Sequence, residues 1–330
     1  VEPFWIQLVK AFIVVNVVMA GFAYTTLWER RLLGRFQARI GPNRAGFHGS
    51  LQPIADLVKL ARKEDFYPRE ADPKFLYVAA PFLSVMMALA AIALIPFGDP
   101  FTIAGQEITQ VGADLDIGLL LLFAFSGIGF YGLILGGWSS GNKYSLLGSA
   151  RTAAQLVSYE VSLGLAVIGV IMLARSLSLV EIVDAQRETV WYILFQPLGF
   201  LVFFIAMVAE VNRIPFDLPE SESELVSGYN TEYGGLKYAM FPLAEYVNMI
   251  VISGLCATLF FGGFAGPWMS GPWWLVLKIA ILIFAFIWLR ATLPRLRYDQ
   301  LMQLGWKILL PLATLNLVVT AIIIGLGFAD

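Results

Sequence analysis

The chain has 330 residues, 58% hydrophobic and 14% charged, with a formal net charge of −2. Soluble domains carry roughly 25% charged residues, so this composition excludes an ordinary soluble domain, and its near-neutral balance gives no footprint for nucleic acid. Its single cysteine, Cys256, and single histidine, His48, exclude an internal disulfide and a bis-histidine haem. They also exclude an iron–sulfur cluster held by this chain alone, which needs about four ligands.

Any electrons are therefore carried by partners. The apolar runs are close to the ~20 residues that a helix needs to cross the hydrocarbon core. The short alternating segments of a transmembrane β-barrel are absent. The expected fold is an all-α polytopic membrane protein, a single membrane domain over residues 1–330. Eight spans are expected, at about 5–28, 74–96, 116–138, 151–174, 190–209, 238–262, 274–292 and 305–327. They leave inside loops at 29–73, 139–150, 210–237 and 293–304. Val1-Glu2-Pro3-Phe4-Trp5 enters the first run without a basic n-region or a small-residue cleavage site, so no removable signal is expected. No internal repeat of the transporter kind is evident.

Lys and Arg give the orientation. With both termini outside, only Lys10, Arg175, Arg187 and Lys278 lie on or near that side, out of 22 Lys and Arg. The rest gather inside, many of them in the first loop. That loop contains Leu51-Gln-Pro-Ile-Ala-Asp-Leu-Val-Lys-Leu-Ala-Arg-Lys-Glu64. Leu51, Ile54, Val58 and Ala61 share one helical face, and Asp56, Lys59 and Lys63 another. The pattern predicts an amphipathic interfacial helix. Arg30 and Arg39 lie beside it, Arg39 next to a Gly-Pro turn. They can bind anions or pair with acidic partners, or simply serve as positive-inside anchors. Trp138-Ser-Ser-Gly-Asn-Lys143 reads as a helix-ending turn, and His48 as a surface residue.

Glu160 lies in the fourth span, within Ser158-Tyr-Glu-Val-Ser162. An ionisable group at mid-span costs about 3 kcal/mol on insertion scales, and a buried carboxyl can exchange protons near neutral pH. A proton relay or ion site is the favoured reading. The structural alternative is a carboxylate satisfied by the nearby serines. Glu245, in the sixth span with Tyr246 and Asn248 beside it, presents the same two readings. Between them runs Glu210-Val-Asn-Arg-Ile-Pro-Phe-Asp-Leu-Pro-Glu-Ser-Glu-Ser-Glu-Leu225. Pro215 and Pro219 forbid one continuous helix there. Glu210, Asp217, Glu220, Glu222, Glu224 and Glu232 crowd this connector, with Arg213 as the nearest counter-charge. Acids this close share protons, whereas a plain solvated acidic loop is the open alternative.

Eight segments together resemble a known family. They are Trp28-Glu-Arg-Arg, Arg39-x-Gly-Pro-Asn, Leu51-Gln-Pro-Ile-Ala-Asp-Leu-Val-Lys59, Ser158-Tyr-Glu160, Asn212-Arg-Ile-Pro-Phe-Asp-Leu-Pro-Glu220, Glu224-Leu-Val-Ser-Gly-Tyr-Asn-Thr-Glu-Tyr233, Ala244-Glu-Tyr246 and Arg295-x-Arg-Tyr-Asp-Gln-Leu301. The family is that of the H subunit of bacterial NADH:quinone oxidoreductase, respiratory complex I, whose mitochondrial counterpart is NADH dehydrogenase subunit 1. The resemblance implies a subunit that anchors a peripheral redox arm and closes a quinone chamber. It implies that Arg30, Arg39, Asp56, Lys59, Phe241, Tyr246 and Arg290 line the chamber or its entrance. It assigns Glu160, Glu210, Asp217, Glu220, Glu222, Glu224, Glu232 and Glu245 to a proton path.

The resemblance further implies quinone as substrate, and FMN and iron–sulfur clusters in partner subunits rather than here. The implied partners are the peripheral-arm subunits of the quinone site, small membrane-arm subunits and antiporter-like subunits. The implied location is a bacterial inner membrane, with the mitochondrial inner membrane also admitted. Some relatives carry a further carboxylate in the third span near the position of Gly127, and this chain has none. Two rival readings are the related membrane subunit of a proton-pumping hydrogenase and a standalone secondary transporter.

Overall fold

In hydrocarbon every backbone N–H and C=O must be satisfied within its own segment, so apolar runs of spanning length become helices. The computed structural model describes residues 3–103, 106–219, 225–267 and 269–326. The helices are α1 (Phe4–Phe36), α2 (Gln52–Arg62), α3 (Lys74–Ile92), α4 (Gly118–Ser139), α5 (Lys143–Ala174) and α6 (Leu179–Glu188). They continue with α7 (Pro197–Glu210), α8 (Gly235–Phe260), α9 (Pro272–Thr292) and α10 (Tyr298–Gly325). A short antiparallel hairpin, β1 (Phe101–Ile103) with β2 (Gln106–Ile108), joins α3 to α4.

Seven of these helices, α1, α3, α4, α5, α8, α9 and α10, are long and apolar enough to cross a membrane. The architecture is that of an all-α integral membrane protein. The remaining expected span, 190–209, is represented by α7, whose 14 residues reach about 21 Å at 1.5 Å per residue. Its helix starts late because Pro197 occupies the first turn, where a missing N–H loses no bond. Just before it, the buried Gln196 donates to Thr320 Oγ1 at 2.7 Å and accepts from Asn316 Nδ2 at 2.7 Å. That side chain ties the start of α7 to α10.

Two other boundaries also move. α5 begins at Lys143 rather than near 151, because the Asn142 side chain caps it by accepting from the Tyr144 amide at 2.9 Å. Most of the expected loop 139–150 is therefore helix. α10 begins at Tyr298, and its residues Leu304–Leu309 are π-helical. The widened turn lies directly before Pro311, where a backbone donor is missing.

α7 and α8 form the centre. Phe203, Ala206 and Met207 of α7 pack with Leu255, Leu259 and Phe260 of α8, all fully buried. α1 lies at the edge, with Phe4, Trp5, Leu8, Phe12 and Val17 exposed. An apolar groove of about 670 Å³ separates it from α9, lined by Val14, Val18, Gly21 and Trp28 on α1 and by Ile279 and Ile283 on α9. At 33 residues, α1 reaches about 50 Å and outruns the ~30 Å hydrocarbon core. Its inside end, from Glu29 onward, can therefore meet the loops.

Ion pairs sort by side. Arg30–Asp56, Lys237–Asp65, Arg213–Glu29 and Arg295–Asp217 join residues of the expected inside, and Arg187–Asp99 joins residues of the outside.

The tightest helix contact is between α3 and α4, where small residues let the backbones approach. Ser84 of α3 donates to the Gly129 carbonyl at 2.9 Å. A Cβ on Gly132 would collide with Ser84 Oγ and come within 2.6 Å of the Ala80 carbonyl oxygen. Gly132→Ala is therefore expected to destabilise the detergent-solubilised protein by about 1–3 kcal/mol through overpacking, read as a lowered thermal unfolding midpoint. An unchanged midpoint refutes the close contact.

Candidate functional site

The connector turns back immediately after α7. The Arg213 amide donates to the Val208 carbonyl, and the Phe216 amide to the Arg213 carbonyl at 2.7 Å. This reversal drives Arg213 into the bundle, where the residue is 7% exposed. Its Nε lies 2.6 Å from Glu245 Oε1 on α8, and its Nη1 3.3 Å from Glu29 Oε1 on α1. The guanidinium also sits 4.2 Å above the Tyr246 ring. Burial opposes its charge, but Glu245, Tyr246 and Glu29 together outweigh that and keep it protonated. Glu29 in turn pairs with Arg290 of α9. One cluster thus joins α1, the connector, α8 and α9.

Asp217 lies one step further along the connector, 2.6 Å from Arg295. Burial pushes its carboxyl above the usual range, against the pull of Arg295.

A second centre surrounds Glu210 at the end of α7. The residue is buried, and its Oε1 accepts from Ser126 Oγ of α4 at 2.8 Å. Its Oε2 has no hydrogen-bond partner among the described residues. Glu160 of α5 is half-buried and near enough for the two carboxylates to repel. Two small cavities flank Glu210. One of about 30 Å³ also touches Glu245, Asn212, Asn248 and Phe241, and another of about 20 Å³ touches Ser126 and Asn248. A water needs roughly 10–15 Å³ by this measure, together with polar neighbours. Both spaces meet that condition. Glu160, Glu210, Glu245, Arg213 and Glu29 thus follow one another across the bundle, with water-sized spaces beside Glu210.

The residues expected at a quinone chamber do not converge in one place. Arg30 Nη1 meets Asp56 at 2.6 Å, and Lys59 lies 3.9 Å from the same carboxylate. That group fastens α2 to the inside end of α1, while Ile54, Leu57 and Val58 of α2 remain exposed. Arg39 donates to Gln37 in an exposed turn. Tyr246 and Arg290 belong to the cluster around Glu29. Phe241 sits in an aromatic group with Tyr229 and Tyr233, at ring distances of 5.2 and 4.8 Å. It also borders the cavity shared by Glu210 and Glu245.

Of the expected proton set, Glu232 stands apart, accepting from Asn142 Nδ2 at 2.6 Å near that aromatic group. Glu220, Glu222 and Glu224 lie outside the described residues.

Sequence reasoning passes over Glu29 and Ser126. The signal for Glu29 is its position in Trp28-Glu-Arg-Arg, a lone acid closing an apolar helix. Its two following arginines draw the reading to anchoring instead. In the sequence Arg213 reads as a counter-charge for the acidic connector, but its partners are on α1 and α8.

The comparisons with known proteins agree with one another. Residues 9–321 match the family described as NADH dehydrogenase. The H subunit of the NADH-quinone oxidoreductase from Thermomicrobium roseum is 52% identical over 321 residues, covering 94% of each chain. An H subunit of the oxidoreductase from Geobacter metallireducens is 51% identical, covering 96% of this chain and 95% of its own. Subunit 8 of the Thermus thermophilus oxidoreductase is 50% identical, covering 99% of this chain and 89% of its own.

Removing one partner of a buried ion pair leaves the other charge stranded, which costs about 3–5 kcal/mol. Arg213→Ala, which takes the cation from Glu245 and leaves Glu29 with Arg290 alone, is expected to lose about that much in denaturant or thermal unfolding. Adding Glu245→Ala is expected to give part of it back, with a coupling energy of about 1.5 kcal/mol or more in the double-mutant cycle. Strict additivity would refute the pairing.

Proposed function

The chain belongs to the NADH dehydrogenase family, and from that membership we propose that it is the membrane subunit coupling quinone reduction to proton transfer in a proton-translocating NADH:quinone oxidoreductase. The relatives' names favour this reading over a hydrogenase subunit or a lone transporter.

The observation that carries it is the series of buried and half-buried ionisable groups from Glu160 through Glu210 and Glu245 to Arg213. Buried carboxylates are expensive in a membrane domain and mark ion or proton routes. Two small cavities beside Glu210 supply room for the waters that proton movement between carboxylates requires.

In this reading quinone is the substrate, and FMN and iron–sulfur clusters reside in partner subunits. The inside face, with α2 and the connector, meets the peripheral-arm subunits of the quinone site. The membrane flanks meet small membrane-arm and antiporter-like subunits in a bacterial inner membrane. Arg30, Asp56 and Lys59, held together between α1 and α2, stand at the chamber entrance with Arg39. Tyr246, Arg290 and Phe241 lie on its deeper side.

Reduction of a quinone to the quinol takes up two electrons and two protons. Protons drawn from the connector leave it more negative. Arg213 has two anionic partners, and Asp217, itself able to take up a proton, pairs with Arg295, so the pairing there shifts with that charge. The acids Glu220, Glu222 and Glu224 share the same change as coupled titrating groups. Glu210, Glu160 and Glu245 then pass the charge sideways through the bundle.

Two measurements test this. Glu160→Gln in the intact complex, reconstituted in vesicles, is expected to lower protons translocated per NADH by about tenfold or more; a wild-type ratio removes Glu160 from the path. Asp56→Asn and Arg39→Gln are expected to raise the KM for quinone several-fold, on the order of 1 kcal/mol in binding for an exposed charged contact. Wild-type quinone kinetics in both variants would take them out of the chamber.

A further inference from the structure

We propose that Ser126 and Gly127, consecutive residues of α4, form a hydroxyl-and-water bridge that carries a proton between Glu160 and Glu210. The inference rests on the proton role given above to those two carboxylates, and it names what lies between them.

Ser126 Oγ donates to Glu210 Oε1 at 2.8 Å. The Glu210 residue is 7% exposed, and its other oxygen has no partner among the described residues. The adjacent residue, Gly127, points elsewhere, because successive helix positions differ by about 100°. A Cβ built on Gly127 would meet one group within 4 Å, Oε1 of Glu160, at 3.7 Å. A single step of α4 therefore touches the carboxylate of α7 with one residue and opens a side-chain-free notch against the carboxylate of α5 with the next. The cavity of about 20 Å³ touches Ser126 and Glu210, so the hydroxyl has room for water on its own face of α4, apart from the notch at Gly127. α4 contributes no Asp, Glu, Lys, Arg or His of its own, so the Ser126 hydroxyl is the proton carrier it places between the two acids.

The transfer balances without any electron changing owner. Glu160 gives its proton to a water beside Gly127, and that water gives one of its protons to Ser126 Oγ. Ser126 passes its former hydroxyl proton to Glu210 Oε1. At the water and at the serine one O–H bond forms and one breaks, so both end chemically unchanged. Reorientation of the hydroxyl and the water readies the bridge for the next proton. Glycine at 127 is required in this scheme because any larger side chain fills the water's place, unless that side chain is itself able to carry a proton.

The test uses the intact complex in vesicles, with protons translocated per NADH as the readout and the amount of assembled complex measured alongside. Ser126→Thr and Ser126→Val have the same shape and differ in the hydroxyl. The valine variant is expected to lose about tenfold in the ratio relative to the threonine variant, within the usual range for a removed proton-transfer group. Ser126→Ala is expected to behave as the valine variant. In the Ser126→Ala background, Gly127→Asp places a carboxylate in the notch and is expected to restore most of the ratio, which a purely structural serine would not allow.

Equal ratios in the threonine and valine variants overturn the bridge. If Glu160→Gln and Glu210→Gln still abolish pumping in that case, the proton role of the two acids stands without it. If all of these variants pump as wild type, that proton role fails together with the bridge. A loss shared by the threonine, valine and alanine variants, unrepaired by Gly127→Asp in assembled complex, makes Ser126 a packing residue and overturns the bridge.

Discussion

Arg213 enters the bundle from the connector and meets two carboxylates, Glu245 and Glu29, that belong to different helices. A guanidinium is suited to this position because its charge is permanent and its donors fan out in one plane. Without it, two acids would face one another across a low-dielectric interior. With it, α8 and α1 are held at a defined separation. α1 has little else to fix it, since its apolar face is largely exposed. Arg290 closes the group from α9 by pairing with Glu29. The position of the first helix, and of the amphipathic α2 fastened to it through Arg30 and Asp56, thus depends on a charge contributed by a loop more than 180 residues later in the chain.

The connector can deliver that charge because α7 is short and central. A helix surrounded by protein does not have to span the bilayer by itself, and α7 ends with Glu210 still inside the bundle. The chain then reverses, with Phe216 and Leu218 buried as anchors and Phe216 against Tyr159 at 5.5 Å. Pro215 and Pro219 make a helical continuation unavailable, so the backbone is committed to an irregular path there. Irregular backbone at this depth is tolerated where it is enclosed by protein or borders water, and the cavity beside Glu210, Asn212 and Pro219 is such a border. Shortness of α7, reversal of the connector and burial of Arg213 are consequences of one arrangement.

Much of this is legible in the sequence. The long apolar runs identify the spanning helices because membrane solvation leaves the backbone few alternatives. The carboxylates of α5 and α8 stand out because an acid among apolar residues needs a reason, whereas Glu210 reads as the first acid of the connector. Other features depend on three-dimensional partners that no local pattern reveals. The early start of α5 follows from a single capping side chain, Asn142. The start of α7, set locally by Pro197, is fixed in place by Gln196 bonding to α10. Glu29 is concealed by its neighbours, since an acid followed by two arginines at a helix end reads as surface charge. Its importance comes from Arg213 and Arg290, far along the chain. The residues that the resemblance assigns to a chamber fall into separate groups in this chain, so neither spacing nor contacts within this subunit bring them together.

The two ends of the bundle use charge in different ways. At the outside, Lys278 donates to the carbonyls of Phe261, Gly263 and Ala265, each at 2.7 Å. All three ammonium protons are used on backbone acceptors that cannot titrate. Such a group locks the turn after α8, and a proton gained or lost nearby leaves its partners unchanged. At the inside, the acceptors are carboxylates. Arg213 is shared between two of them, Glu29 is shared between two arginines, and Glu210 keeps one oxygen without a protein partner among the described residues. Protonating Glu29 or Glu245 releases a cation that has a second acid within reach, so the pairing can be exchanged without stranding a charge. A fixed outer end and an exchangeable inner network match the coupling role proposed above. The same chemistry at both ends would either hold the network rigid or leave the bundle without a stationary frame.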